Sequence, residues 1–303
     1  MIRIATLTAV MMGAMPASAQ MPAAGQPALG RPFPAVNGTT IRCPLPVPPS
    51  AEQQAAQFET RPRDLDAMSA MAKGFMDPAN PIGDGFRKKQ AEQQATDWPF
   101  LCRYRDANVV LRETGPRPGV VFMGDSITEG WINADPAFFA RNNYIDRGIS
   151  GQSSSQMVAR FYADVVTLRP RVVHIMTGTN DIGGATGPVT EDDSINNVRA
   201  MIDMAQANGI RVVLASIPPM SRLLPRPDFN LRPVVLSLNR RLKTLAAERG
   251  LAFVDYYQPL ADREGAFDPR YANDGVHPTR VGYSVIEPLA QAALQTALKA
   301  ESR

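Results

Sequence analysis

From residue 118 onward, short apolar runs alternate with longer amphipathic stretches, and this alternation restricts the fold more than any other feature of the 303-residue chain. The short runs are GVVFMG, YIDRGI, RVVHIMTG, IRVVLASI and LAFVDYY. Apolar residues at nearly consecutive positions suit parallel strands covered on both faces. The stretches between them have helical periodicity. Thr190 is placed to N-cap one helix, with Glu191, Asp192 and Asp193 in its first turn and Gly209 beyond its end. Ile195, Val198, Ile202 and Ala205 give that helix one apolar face. Val235, Leu238, Leu242 and Leu245 do the same for the next, which stops at Gly250. Five β-α units of this kind predict an α/β domain over about 118–298: a three-layer, doubly wound parallel sheet of about five strands.

What precedes residue 118 has a different texture. Residues 1–19 carry Arg3, an apolar stretch over 4–15 and the small-residue run Ala17, Ser18, Ala19. This is the pattern of a secretory signal peptide, with a mature start near Gln20. The apolar stretch is too short to span a bilayer, and no later segment is apolar enough to anchor the chain. An exported protein, periplasmic or secreted, is the expectation. Residues 21–49 include eight prolines and favour extended backbone with little secondary structure. SAEQQAAQF, DLDAMSAMAKGF and FRKKQAEQQA then read as helical pieces. Together 20–117 form a Pro-rich, then helical N-terminal extension, too poor in large apolar residues for its own core and expected to pack on the domain at 118–303. In an oxidising compartment the two cysteines, Cys43 and Cys102, are a candidate disulfide.

In an open parallel sheet, ligands bind beyond the carboxyl ends of the strands. The loops there read GDSIT, RGISGQSSS and GTND. Taken singly, each is an ordinary polar turn. The chain has only two histidines, and one of them, His277, stands in YANDGVHPTR three positions after Asp274. Ser126, Asp274 and His277 thus supply a nucleophile, an orienting carboxylate and a base. A serine hydroxyl reacts poorly until a base takes its proton, and an imidazole needs an anion on its other nitrogen to fix its tautomer. Gly275 allows the tight turn that brings Asp274 to His277, whereas Asp262 and Asp268 compete for the role only through a longer loop. Three donors are candidates for an oxyanion hole: the backbone N–H of Ser126, the backbone N–H of Gly151 and the side-chain amide of Asn180.

These four blocks resemble those of the SGNH hydrolases, also called GDSL esterases and lipases. GDSIT matches the first block and gives Ser126 as nucleophile and oxyanion donor. RGISG gives Gly151, GTND gives Asn180, and DGVHP gives Asp274 and His277. The resemblance covers about 118–298 and implies a flavodoxin-like sheet. One departure is Asp146, where the family more often has asparagine. Membership implies a serine esterase acting on carboxylic esters through an acyl-serine, with no cofactor and no metal. Similarity to the branch containing bacterial carbohydrate acetylesterases and platelet-activating-factor acetylhydrolase-like proteins implies a short acyl group, acetyl first, on a small molecule or glycan. Alternatives are a lysophospholipase or thioesterase acting on longer chains, an acyltransferase to a sugar, and a carbohydrate-binding protein with a degenerate site. The last is disfavoured because every catalytic position is filled.

Other residues have simpler explanations. His174, mid-strand in RVVHIM, reads as a core histidine, and Asp125 and Asp181 as residues that fix their own turns. Trp131 and the aromatics of DPAFFAR read as packing. Arg222, Arg226 and Arg232 in a long loop could meet an acidic sugar or phosphate, although solvated loop arginines are the ordinary case. A formal charge of +3 without a basic run gives no basis for nucleic-acid binding. The chain lacks the Gly-x-Ser-x-Gly elbow of α/β-hydrolases and any P-loop, dinucleotide or metalloprotease fingerprint.

Overall fold

A computed structural model describes residues 29–44, 77, 80–221, 229–272 and 274–300. The chain divides into two compact units, Met1–Val47 and Pro48–Arg303. The leader at 1–19, the helical pieces expected at 50–58 and 64–75, and Arg222 and Arg226 lie outside the described residues.

Within the first unit, β1 (Leu29–Pro34) and β2 (Thr40–Pro44) form an antiparallel hairpin. This corrects the expectation of little secondary structure over 21–49. Val36, Asn37 and Gly38 form the turn between Ala35 and Thr39, where Asn37 Oδ1 accepts from the Thr39 N–H at 3.1 Å and from its hydroxyl at 2.7 Å. A two-stranded ribbon uses only one edge of each strand, so the prolines of β1 are tolerated there. Cys43 is buried, and neither cysteine is free: both Cys43 and Cys102 are disulfide-bonded.

The second unit begins its described part with α1 (Pro81–Asp97) and α2 (Arg105–Thr114). The helical piece expected at 86–95 falls inside α1, whereas α2 was not anticipated. Then follow β3 (Val120–Gly124), α3 (Ser126–Ala134), α4 (Pro136–Asn142) and β4 (Tyr144–Gly148). Next come α5 (Ser154–Asp164), β5 (Val172–Ile175), α6 (Thr179–Gly183), α7 (Glu191–Ala207) and β6 (Arg211–Ala215). The chain closes with α8 (Arg232–Glu248), β7 (Ala252–Val254), α9 (Tyr257–Leu260) and α10 (Arg280–Lys299).

Strands β3–β7 form one parallel sheet in the order β4-β3-β5-β6-β7. All five strands match the apolar runs of the sequence. Alternate residues of each strand feed opposite faces. Val121, Met123, Val173, Ile175, Val212 and Leu214 meet α5, α7 and α8 on one side. Val120, Phe122, Val172, Val213 and Ala215 meet α3, α4 and α10 on the other. Trp131, Phe138 and Phe139 are buried around Phe122, with Trp131 and Phe122 ring centres 5.5 Å apart. Thr190 caps α7 as its sequence suggests, exchanging bonds with Asp193.

The strand order reverses direction between β3 and β5. At such a switch point the connections leave on opposite faces and open a crevice at the carboxyl ends of the strands. Ser126 follows β3 there, and Asn180 follows β5.

Candidate active site

Ser126 is the first residue of α3. Asp125 caps this helix, its carboxylate accepting from the Ile127 N–H at 3.0 Å. The sharp passage from β3 into α3 places the Ser126 hydroxyl at the sheet edge, with the Ser126 N–H among the unpaired donors of the helix N-terminus. Ser126 Oγ lies 2.9 Å from His277 Nε2, across 151 residues of sequence. His277 Nδ1 lies 2.7 Å from Asp274 Oδ2.

The turn holding this pair follows from its sequence. Gly275 has a φ of +80°, the left-handed conformation that glycine adopts without penalty. The chain therefore folds back so that Asp274 Oδ1 accepts from the Val276 N–H at 2.9 Å and the His277 N–H at 2.8 Å. Of the competing carboxylates, Asp268 grips Arg270 and Asp262 accepts from the Ala266 N–H. Asp274 is the one that reaches His277.

Electrostatics match this arrangement. Burial by itself would raise the Asp274 carboxyl, but the His277 hydrogen bond and charge and the two backbone N–H groups bring it down to about 2. Burial would likewise lower His277, yet the bond and charge of Asp274, with the charge of Asp125, hold it above its ordinary value. Asp274 is thus an ionised, accepting carboxylate. His277 must carry its proton on Nδ1, which leaves the Nε2 lone pair facing Ser126.

The donors gather on the same side. Asn180 Nδ2 donates to the Gln152 carbonyl at 3.0 Å and makes only a long 3.4 Å contact with Asp125 Oδ2. One amide hydrogen therefore holds the 149–152 loop, and the other has only the long bond to Asp125 to exchange for a ligand. Gly151 is exposed, with a φ of +79°, and a Cβ added there would meet no atom within 4 Å. Its need for glycine lies in the backbone conformation, not in crowding. Among the described residues, no acceptor takes the Gly151 N–H.

Several supports were not evident from sequence. Arg160 is fully buried on α5 and donates to Gln152 Oε1 at 2.5 Å, to Asp164 at 3.0 Å and to the Gly124 carbonyl at 3.0 Å. It thereby ties the nucleophile's strand to the 149–152 loop. Asp181 accepts from the Ser154 N–H at 2.9 Å and from the hydroxyls of Ser154 and Ser194, anchoring the Asn180 turn to α5 and α7. Asp125, pushed up to about 6 by burial, faces Asn180 as well as its own turn. An arginine within an apolar helix face was the one available signal for Arg160.

His174 lies apart from this group, buried in β5 with Nε2 2.8 Å from the Tyr256 hydroxyl and its ring stacked on Phe122. Arg232, a loop candidate for anionic ligands, is instead the first residue of α8. No group of three potential metal-ligating side chains occurs among the described residues, and no described helix is long and apolar enough to cross a membrane.

Comparison with known proteins gives the same set of elements a family. The model of the GDSL-like Lipase/Acylhydrolase family matches residues 122–285, from β3 into α10. A provisionally named acylhydrolase from Bacteroides fragilis is 42% identical, with a TM-score of 0.64, over 67% of this chain and 100% of its own. A GDSL-like lipase from Bacteroides thetaiotaomicron is 40% identical, also with a TM-score of 0.64, over 66% and 100%. A Streptococcus protein provisionally named for platelet activating factor shares the fold at 22% identity and a TM-score of 0.58, over 68% and 99%. The search of curated proteins found no match.

Proposed function

This chain belongs to the GDSL-like lipase/acylhydrolase family, and we propose that it cleaves carboxylic esters through an acyl-serine formed on Ser126. The hydrogen-bonded relay from Ser126 Oγ through His277 to Asp274 carries this reading. His277 Nε2 takes the hydroxyl proton as Ser126 Oγ forms a bond to the ester carbonyl carbon. The carbonyl oxygen becomes an oxyanion within reach of the Ser126 and Gly151 N–H groups and the Asn180 amide. Collapse breaks the bond to the alcohol oxygen, which leaves with the proton held by His277. Water then attacks the acyl-serine with the same base, releasing the acid and restoring the hydroxyl. Asp274 stays ionised throughout and stabilises the imidazolium.

The acyl group in this proposal is short, acetyl first, following the resemblance of the four motifs, and the alcohol is a small molecule or glycan. Export is part of the proposal. The leader pattern at 1–19 supports it, as do the two disulfide-bonded cysteines, since such bonds persist in oxidising compartments.

A fluorophosphonate probe followed by intact mass tests the nucleophile. Wild type should gain one adduct, and Ser126→Ala should gain none and lose turnover. Turnover retained by folded Ser126→Ala would overturn the mechanism. A series of acyl lengths on one leaving group tests the acyl preference, with kcat/KM expected to fall beyond short chains. An N-terminal sequence beginning near Gln20 in protein from a secreting host would meet the export expectation, and a retained leader would sink it.

A further inference from the structure

We propose that Arg103 and Glu129 are positioning residues of the oxyanion hole, acting through Ser150 on the peptide that presents the Gly151 N–H. Glu129 projects from the first turn of α3, three residues after Ser126. Its Oε2 accepts from the Ser150 N–H at 2.9 Å and from the Ser150 hydroxyl, and its Oε1 accepts from Arg103 Nη2 at 2.8 Å. Ser150 immediately precedes Gly151. One carboxylate therefore fixes the orientation of the residue whose carbonyl side leads into the Gly151 amide. Because Glu129 shares a helix turn with Ser126, the two backbone donors are referenced to one rigid element.

Arg103 belongs to a turn outside the family match, and that turn is built to be rigid. Both oxygens of Asp97 accept from backbone, the Leu101 N–H at 2.8 Å and the Cys102 N–H at 2.9 Å. Phe100 sits at a φ of +58°, which a non-glycine residue adopts only where its surroundings enforce it. The same turn grips the loop at further points. Gln152 Nε2 donates to the Pro99 carbonyl at 3.0 Å, and the Tyr104 hydroxyl donates to the Gly148 carbonyl at 2.5 Å. The loop bearing Gly151 is thus held on one side by Asn180 and on the other by a segment of the N-terminal extension. With side chains 28% and 22% exposed, the Arg103–Glu129 pair is partly shielded from solvent, and each end has further work to do. A surface pair of this spacing would contribute little to stability. Its value lies in geometry, because displacing a catalytic donor by about 1 Å can cost roughly 10²-fold in rate.

The proposal rests on the acyl-serine reading, and its test separates the two. The variants are Arg103→Met, Arg103→Lys and Glu129→Gln, compared on an ester and on its thionoester. Sulfur is a larger and weaker acceptor than oxygen, so well-placed donors favour the ester strongly. Arg103→Met and Glu129→Gln should lower kcat on the ester by about 10-fold to 10²-fold with little change in KM. They should lower the thionoester rate much less, so the oxygen-to-sulfur ratio contracts. Arg103→Lys should recover part of both, and the double variant should cost no more than the worse single one. If Glu129→Gln fails to fold, Arg103→Met interrogates the same contact from the more exposed side. Loss of both rates in equal proportion, or an unchanged ratio at full kcat, would overturn the positioning role. Turnover surviving in Ser126→Ala would instead overturn the acyl-serine reading.

Discussion

Replacing Asp274 by asparagine should nearly abolish turnover while preserving the fold, and the hydrogen bonds around it show why. The carboxylate accepts three hydrogens: Oδ1 takes the Val276 and His277 N–H groups, and Oδ2 takes His277 Nδ1–H. An asparagine there has one acceptor and one donor end. If its oxygen stays with the two backbone N–H groups, its amide points at Nδ1. The imidazole must then move its proton to Nε2, facing the hydroxyl it has to deprotonate. Flipping the amide would restore the tautomer but leave two backbone donors facing an NH2 group, at about 1–3 kcal/mol each. The wrong tautomer is favoured, and the loss expected for that outcome is about 10⁴ in kcat, or roughly 5.5 kcal/mol of transition-state stabilisation. The assay is steady-state hydrolysis of a chromogenic short-chain ester, with thermal unfolding as a control. In wild type kcat/KM should rise with pH as His277 deprotonates, with an inflection above the ordinary histidine value because Asp274 raises it. Residual activity of Asp274→Asn should inflect lower, since the anion is gone. Asp268→Asn should leave kcat intact, its partner being Arg270. A folded Asp274→Asn enzyme within 10-fold of wild-type kcat, with an unmoved pH profile, would refute the reasoning.

Asn180→Ala should lower kcat by about 10²–10³ with a smaller change in KM; full kcat with a raised KM would make the amide a binding group instead. Gly151→Val should be harmful through its backbone, since the φ of +79° costs a side-chain-bearing residue about 1–2 kcal/mol while the added Cβ meets nothing. Gly151→Ala should then be nearly as damaging, and a harmless alanine would point to steric exclusion. His174→Gln should retain activity, and it isolates a stability effect. Burial lowers His174 to about 3, so the unfolded chain binds its proton first and wild-type stability falls as pH drops from about 6.5 toward 3, by up to about 1.4 kcal/mol per unit. Urea midpoints over pH 4–6.5 should show a shallower acid slope in the variant, and parallel slopes would refute this. Asp146→Asn tests the departure from the family pattern. Burial raises Asp146 to about 7, so its folded form holds a proton that the unfolded chain releases near pH 4, and stability is lost as pH rises between those values. Asp146→Asn should therefore gain on wild type from pH 5 to 7 in the same assay, and a variant that loses ground would overturn the assignment.

The sheet was legible because its signal is local. Near-continuous apolar runs of strand length, separated by helices with their own caps, leave few alternatives to a parallel sheet. The residues of the proposed relay were legible for a related reason: Asp274 and His277 lie in one turn, and Ser126 opens the helix after the first strand. The hairpin at 29–44 was missed because it lies in the proline-rich stretch 21–49 and carries Pro32, Pro34 and Pro44 in its own strands, although an Asn-Gly pair such as Asn37 and Gly38 is a common hairpin signal. Helix α2 was missed because its packing is set by polar side chains. Asn108 is buried and donates to Asp164 at 2.7 Å, while its oxygen accepts from Arg147 at 2.7 Å and 3.0 Å.

That triad exposes what periodicity cannot encode. Asn108, Arg147 and Asp164 come from α2, β4 and α5, and each reads alone as a solvated polar residue. Only when the strands pair do they share a site, where each must find a partner because water is excluded. Arg160 bonds the same Asp164, and through Gln152 reaches the loop that carries Gly151. The buried polar chain therefore runs from a helix of the extension to the proposed oxyanion donors. A boundary drawn at residue 118, where the apolar alternation starts, cuts through that chain. Removing residues before 118 would take Asn108 and the Tyr104 ring away from Arg147 and the Asn108 amide away from Asp164, at about 1–3 kcal/mol for each polar group left without a partner. It would also remove Arg103 and Tyr104 from the loop. The hydrolase unit thus needs α2 and the turn before it both to be stable and to hold its donors in place.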